Sequence, residues 1–82
     1  MPFLYILRSL STQKYYTGTA EDVSQRVGEH NRGQTLSTRN RGPWKLVYQK
    51  QFETVAEARR RERQIKSWKS HRSIDELIRS IN

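Results

Sequence analysis

A glutamate set into a run of arginines, two tyrosines in β-forming stretches and an Arg-His pair on one helical face are the side chains of this 82-residue chain best suited to chemistry. Glu62 falls on the spacing Val55, Ala58, Glu62, Ile65, Lys69, the inward face of a helix. A carboxylate is costly to desolvate unless a cation neutralises it. Glu62 therefore calls for a metal or an arginine nearby, or for an ion pair with Arg59, Arg63 or Lys66 on its own helix. Tyr5 and Tyr16 suit a hydrophobic core as well as a reactive site. A phenol, with a pKa of about 10, serves as a base only beside a metal-bound water or cations that favour the phenolate. Arg26 and His30 could clamp an anion between them, or stand in solvent beside Glu29. His71, in a basic stretch near a helix end, has no expected chemical role.

Positioning these groups takes a hairpin, a third strand and three helices. Phe3 to Ser9 and Tyr15 to Thr19 are rich in β-formers and flank the turn residues Ser11 to Lys14. A loop centred between Thr12 and Gln13 sets Tyr5 opposite Ala20 and puts Tyr5 and Tyr16 on one face. Thr19, with Asp22 three residues on, marks the start of a helix that runs to Asn31 and stops near Gly33. Ala20, Val23 and Val27 form its apolar stripe, with Arg26 and His30 at the stripe's edge. The segment from Gly33 to Pro43 holds Ser37, Asn40 and Gly42 with Arg39 and Arg41, and predicts a mobile, basic loop. Trp44 to Phe52 returns to strand character, with Leu46, Tyr48 and Phe52 on one side, Val47 on the other, and Lys45 and Lys50 exposed.

Thr54 with Glu57 opens the second helix, whose outer faces carry Arg59, Arg60, Arg61, Arg63, Lys66 and Trp68. Ser73 with Glu76 opens a last helix over residues 73–81, with Ile74, Leu77, Ile78 and Ile81 as its apolar stripe. The order β-β-α-β-α-α predicts an α+β fold in which helices cover a small antiparallel sheet in two layers. No repeat or low-complexity linker divides it, so one domain over residues 1–82 is expected.

Composition narrows what such a domain could do. A chain this short buries only about 60% of its unfolded surface, so the expected site is a shallow one. Without cysteine, disulfides, thiolate zinc sites and cysteine nucleophiles are excluded. The four glycines are too scattered for a phosphate-binding loop, and no serine lies in a nucleophile elbow. Eight acidic residues, most of them at helix starts, support one carboxylate and one metal better than a two-metal centre. No apolar run reaches the roughly 20 residues of a membrane span, and the expectation is a soluble, cytoplasmic protein. The formal net charge of +8 is lopsided: residues 1–38 carry 4 basic and 3 acidic groups (+1), residues 39–82 carry 12 and 5 (+7). Excess arginine on one side points to a polyanion, because guanidinium forks match phosphate oxygens and displace condensed counterions.

Taken in order, these pieces resemble the GIY-YIG nuclease superfamily. Leu4-Tyr5-Ile6 stands for the first signature and Tyr16-Thr17-Gly18 for the second, with Arg26 and His30 on the first helix and Glu62 on a later one. Leu4 replaces the glycine of the first signature and Thr17 the isoleucine of the second. Tyr5 to Ser9, Thr38-Arg39, Leu46 to Tyr48 and the run from Glu57 to Lys66 look like the small stand-alone bacterial members, relatives of the Slx1-type endonucleases. The resemblance covers about residues 2–70 and implies a three-stranded antiparallel sheet flanked by helices.

The activity it implies is metal-dependent hydrolysis of DNA phosphodiesters, at a structured or nicked site in repair or recombination. Glu62 would hold one divalent cation, Mg²⁺ or Mn²⁺. Tyr5 would accept a proton from water, its phenol made more acidic by nearby cations, and Tyr16 would orient water or phosphate. Arg26 would neutralise transition-state charge, His30 would assist phosphate positioning or proton transfer, and Gly18 would allow close backbone approach. Arg39, Arg41, Lys45, Arg59, Arg60, Arg63 and Lys66 are the expected DNA-tracking surface. A monomer with no membrane association is expected, with room for an unknown protein partner. The competing reading is a non-catalytic, basic nucleic-acid-binding module.

Overall fold

The structure, a computed structural model, describes residues 1–36, 38–68 and 70–80. Strands β1 (Phe3–Ser9), β2 (Tyr15–Ala20) and β3 (Trp44–Gln51) alternate with helices α1 (Val23–Asn31), α2 (Val55–Lys66) and α3 (His71–Arg79) in the order β-β-α-β-α-α. All three strands pair antiparallel in the order β2-β1-β3, which makes β1 central and buries it on both sides. This is the α+β fold expected from the sequence.

The helices cover both faces of the sheet, not one, so there are three layers. Leu4 and Ile6 of β1 meet Tyr48, Ile65 of α2 and the apolar side of α3. Tyr5 and Leu7 point the opposite way, toward Val23 and Val27 of α1 and toward Trp44. The alternation of strand side chains thus sends Leu4 and Ile6 into a largely apolar core and Tyr5 and Leu7 into a core that contains a polar cluster.

The hairpin closes two residues tighter than expected. Ser9 N–H donates to Lys14 O at 2.8 Å, and Gln13 takes a left-handed φ of 67° in the turn. Tyr5 therefore faces Gly18, Leu7 faces Tyr16, and Ala20 faces Phe3. A shift of two residues keeps every side chain on its predicted face, whereas a shift of one would have exchanged the faces. In β3 a bulge does exchange them: Leu7 pairs with Leu46 but Ile6 pairs with Tyr48. Val47 is the extra residue, so Leu46 joins the Tyr5 side and Tyr48 the Leu4 side, correcting the expectation that both share a face.

Helix α1 starts at Val23, later than the Thr19 expected, because Thr19 and Ala20 remain paired in β2 and Asp22 is the N-cap, accepting from Gln25 N–H at 3.0 Å. Its C-terminus is a Schellman arrangement: Gly33, at a φ of 75°, donates to His30 O and Gln34 donates to Glu29 O. Thr54 caps α2 as expected, with Glu57 N–H donating to its hydroxyl. That helix ends at Lys66, so Trp68 lies beyond it and packs on the apolar core instead of an outer helical face. Helix α3 begins at His71, two residues before the expected Ser73, because the hydroxyl of Ser70 accepts from Arg72 N–H at 3.1 Å. Ser37, Lys69 and Ile81, named among the loop and stripe residues, lie outside the described residues.

Candidate active site

Tyr5, Tyr16, Arg26 and His30 converge where the polar side of the hairpin meets α1. Tyr5 has no exposed surface and His30 only 2%, so His30 lies inside the core, not at its edge. The Tyr5 hydroxyl is 3.0 Å from His30 Nε2, and the Tyr16 ring packs on the imidazole with centroids 4.7 Å apart. Arg26, one helical turn before His30, pairs with Glu29 at 2.8 Å, and its half-buried guanidinium lies close enough to Tyr5 to act on the phenol by its charge. Of the two open readings of the Arg-His pair, the structure places Arg26 beside Glu29 with its side chain 39% exposed, whereas His30 is buried.

Gly18 makes this arrangement possible. A Cβ at that position would lie 2.6 Å from the Tyr5 hydroxyl oxygen and 2.8 Å from Cζ, distances no real Cβ adopts. The glycine thus leaves room for the phenol across the strand pair, a packing reason distinct from close backbone approach to substrate.

Burial pushes the Tyr5 phenol above its ordinary pKa; the Arg26 guanidinium close by offsets this only in part, and Tyr16 and Glu62 add to the rise. The Arg26 cation thus makes the phenol more acidic, as expected of a neighbouring charge, but by less than burial raises it, so the phenol is held protonated. His30 shifts down, because burial and then the Arg26 charge disfavour the imidazolium, with Glu29 opposing weakly. A protonated phenol beside a neutral imidazole is a proton-transfer pair.

Glu62 and Lys66 approach from α2, which packs along edge strand β2. Lys66 Nζ stands 5.7 Å from the Tyr16 ring centroid and 2.6 Å from Glu62 Oε2. The Glu62 side chain is 19% exposed, so it is neither fully inward nor free in solvent, and its cation partner is Lys66. Among the described residues no group of three or more acidic or imidazole side chains could hold a metal. One carboxylate still suits a hard cation such as Mg²⁺, which keeps several waters and binds through one or two carboxylates plus substrate phosphate.

The expected DNA-tracking residues divide between two regions. Arg39, Arg41 and Lys45 are exposed at and after the 33–43 loop, while Arg59, Arg60, Arg63 and Lys66 are exposed on α2. Among the described residues of this loop, Thr38 is 1% exposed, its carbonyl accepts from Trp44 Nε1 at 3.1 Å, and Leu10 N–H donates to Pro43 O at 2.9 Å, so Thr38 and Pro43 are tied to the rest of the fold. Thr38 also reaches His30 Nδ1 with its hydroxyl, at 2.7 Å. Sequence reasoning did not single out this contact; the buried histidine's need for a second partner was the signal available. His71 stacks on Tyr15 with centroids 5.3 Å apart, away from this cluster.

The fold is a three-stranded α+β domain with a Tyr-Tyr-Arg-His cluster on one face of its sheet, and the chain belongs to the GIY-YIG catalytic domain family, a nuclease superfamily, whose model matches residues 1–75. Among its relatives are UPF0213 proteins of Staphylococcus aureus strains Mu3 and N315, each 48% identical over 67 residues that span 80% of either chain. The solution NMR structure of the UPF0213 protein of Bacillus halodurans matches with a TM-score of 0.60 at 35% identity, covering 95% of this chain and 83% of the other.

Proposed function

We propose that this domain, taken as one unit over residues 1–82, is a metal-dependent endonuclease that hydrolyses DNA phosphodiesters at structured sites in repair or recombination. The observation that carries this reading is the hydrogen-bonded Tyr5–His30 pair with the Arg26 cation beside it, Tyr16 packed on it and Glu62 close by on α2. Tyr5 receives the proton of the attacking water. Tyr16 orients water and phosphate. Arg26, a fixed cation held by Glu29, stabilises charge that grows on the phosphate in the transition state. Glu62, released from Lys66, is the residue to hold a divalent cation, which when bound supplies electrophilic stabilisation of the phosphate and leaving oxygen. Lys66, Arg59, Arg60, Arg63, Arg39, Arg41 and Lys45 track the phosphate backbone, in keeping with the +8 charge.

The test is cleavage of a panel of duplex, nicked, flap, fork and junction DNAs with Mg²⁺ or Mn²⁺. Cleavage abolished by EDTA, by Glu62→Ala and by Tyr5→Phe in folded protein is the expected result. Equal cutting by wild type and Glu62→Ala would overturn the mechanism. Salt-sensitive binding with no cleavage of any substrate would replace it with a binding module.

A further inference from the structure

The base proposed above poses a chemical problem: Tyr5 is a buried, protonated phenol, and a protonated phenol can take a proton from water only by giving up its own. The hydrogen bonds around it supply the exit. Thr38 Oγ1 donates its hydrogen to the Thr35 carbonyl, which can only accept, so toward His30 Nδ1 it is the acceptor, and at the other end of the ring the Tyr5 O–H, 3.0 Å from Nε2, is the donor. Nε2 is then the acceptor, and a neutral imidazole must carry its hydrogen on Nδ1. That hydrogen is donated to Thr38 Oγ1 at 2.7 Å, and the threonine's own hydroxyl hydrogen points on, with Thr35 O at 3.4 Å as its protein acceptor.

Thr38 is fixed for this task. Its N–H donates to Thr35 O at 3.2 Å, and its carbonyl accepts from Trp44 Nε1 at 3.1 Å and from Arg41 N–H at 3.2 Å. Beyond it lies a polar cleft of about 370 Å³, lined by His30, Thr38 and Asn31 with the exposed Arg32 and Asn40 at its rim, and not by Tyr5. His30 therefore presents Nε2 to the phenol and Nδ1, through Thr38, to a second opening.

We infer that Thr38 is a positioning residue that holds His30 in its Nδ1–H tautomer and completes a proton wire from Tyr5 to this cleft. This rests on the endonuclease reading for its chemical step. As the water oxygen bonds to phosphorus, its proton moves to the Tyr5 oxygen. The Tyr5 proton moves to Nε2, the Nδ1 proton to Thr38 Oγ1, and the Thr38 proton to water in the cleft. The P–O3′ bond breaks and the 3′ oxygen is protonated from solvent. The imidazole changes tautomer without ever becoming a cation, consistent with burial and Arg26 disfavouring its charge. The charged and titratable groups facing His30 are Tyr5 from β1, Tyr16 from β2, Arg26 and Glu29 from α1, and the Glu62–Lys66 pair from α2 beyond Tyr16.

Two measurements test it. Nitrogen-15 NMR of the His30 ring, on the full chain without metal or DNA at pH 7.5, should show the neutral Nδ1–H tautomer in wild type and Thr38→Ser, and a mixture in Thr38→Val. Single-turnover cleavage should fall roughly 100-fold in Thr38→Val, the low end for loss of a positioned proton-transfer group. DNA binding should stay unchanged and Thr38→Ser should restore the rate. A dominant Nε2–H tautomer in wild type, or a Thr38→Val enzyme as fast as wild type, overturns the wire. Absence of all cleavage by wild type would refute the endonuclease reading instead, and the NMR result would still decide how Thr38 sets His30.

Discussion

Replacing Gly18 by alanine tests the packing that builds the site. The added Cβ would sit 2.6 Å from the Tyr5 oxygen and 2.8 Å from Cζ, and 3.2 Å from Cε2 of Tyr16. Tyr5 is fully buried with Leu7, Val23 and Trp44 around it, so its ring cannot swing away as a surface side chain would. Overpacking of this kind costs about 1–3 kcal/mol. At about 4–8 °C per kcal/mol for a domain of this size, the melting temperature should drop by roughly 5–20 °C. The displaced hydroxyl also loses its 3.0 Å approach to His30, so cleavage should fall further than stability accounts for. Thermal unfolding followed by circular dichroism reads the first effect. The double variant reads its cause: with Tyr5→Phe the 2.6 Å clash is gone while Cζ remains, so Gly18→Ala should cost less in that background by about 0.5 kcal/mol or more. A Gly18→Ala protein that melts with wild type, or costs that simply add in the double variant, would refute the reasoning.

Three further outcomes are expected. His30 is lowered in the fold, so below its unfolded pKa of about 6.5 the unfolded chain binds the extra proton and stability falls with acid, by up to about 1.4 kcal/mol per pH unit until the folded pKa is reached. Urea unfolding between pH 7.5 and 5 should show that slope and His30→Gln should flatten it; equal slopes would refute the assignment. Ile65→Ala, at a site 1% exposed between α2 and the Leu4–Ile6 side of β1, should destabilise by about 2–5 kcal/mol, measured by denaturant midpoint. Removing Arg59, Arg60 and Arg63 together should leave the fold intact and lower the dependence of log Kd on log salt, by up to about 0.9 for each duplex DNA phosphate that these side chains neutralise.

Much of the fold could be read from the order of residues because local rules agree with the final packing. The element order and the Thr54 cap of α2 follow from propensity and capping chemistry, and the common face of Tyr5 and Tyr16 follows from strand parity, which a two-residue slip of register cannot change. Where local signals competed, the sheet decided: Thr19 and Ala20 have a helix-start pattern but hydrogen-bond in β2, and the bulge at Val47 reverses the faces of β3 without any proline or glycine to mark it.

The candidate site divides in the same way. Tyr5, Tyr16, Arg26, His30 and Glu62 were each open to a structural reading by residue type, and it was the resemblance to GIY-YIG nucleases, carried by their order, that implied a common site. Their states were not legible there. Whether Tyr5 is acidic or held protonated depends on how much water the core excludes, and whether Glu62 faces a metal or Lys66 depends on where α2 lies along β2. Thr38, inside a segment with every mark of a mobile loop, is buried against His30 by contacts to Trp44 and Thr35. Desolvation and long-range hydrogen bonding belong to the assembled molecule: the sequence by itself determined which groups are present and which strand face they share, and only the tertiary structure decided which of them carry protons and where those protons can go.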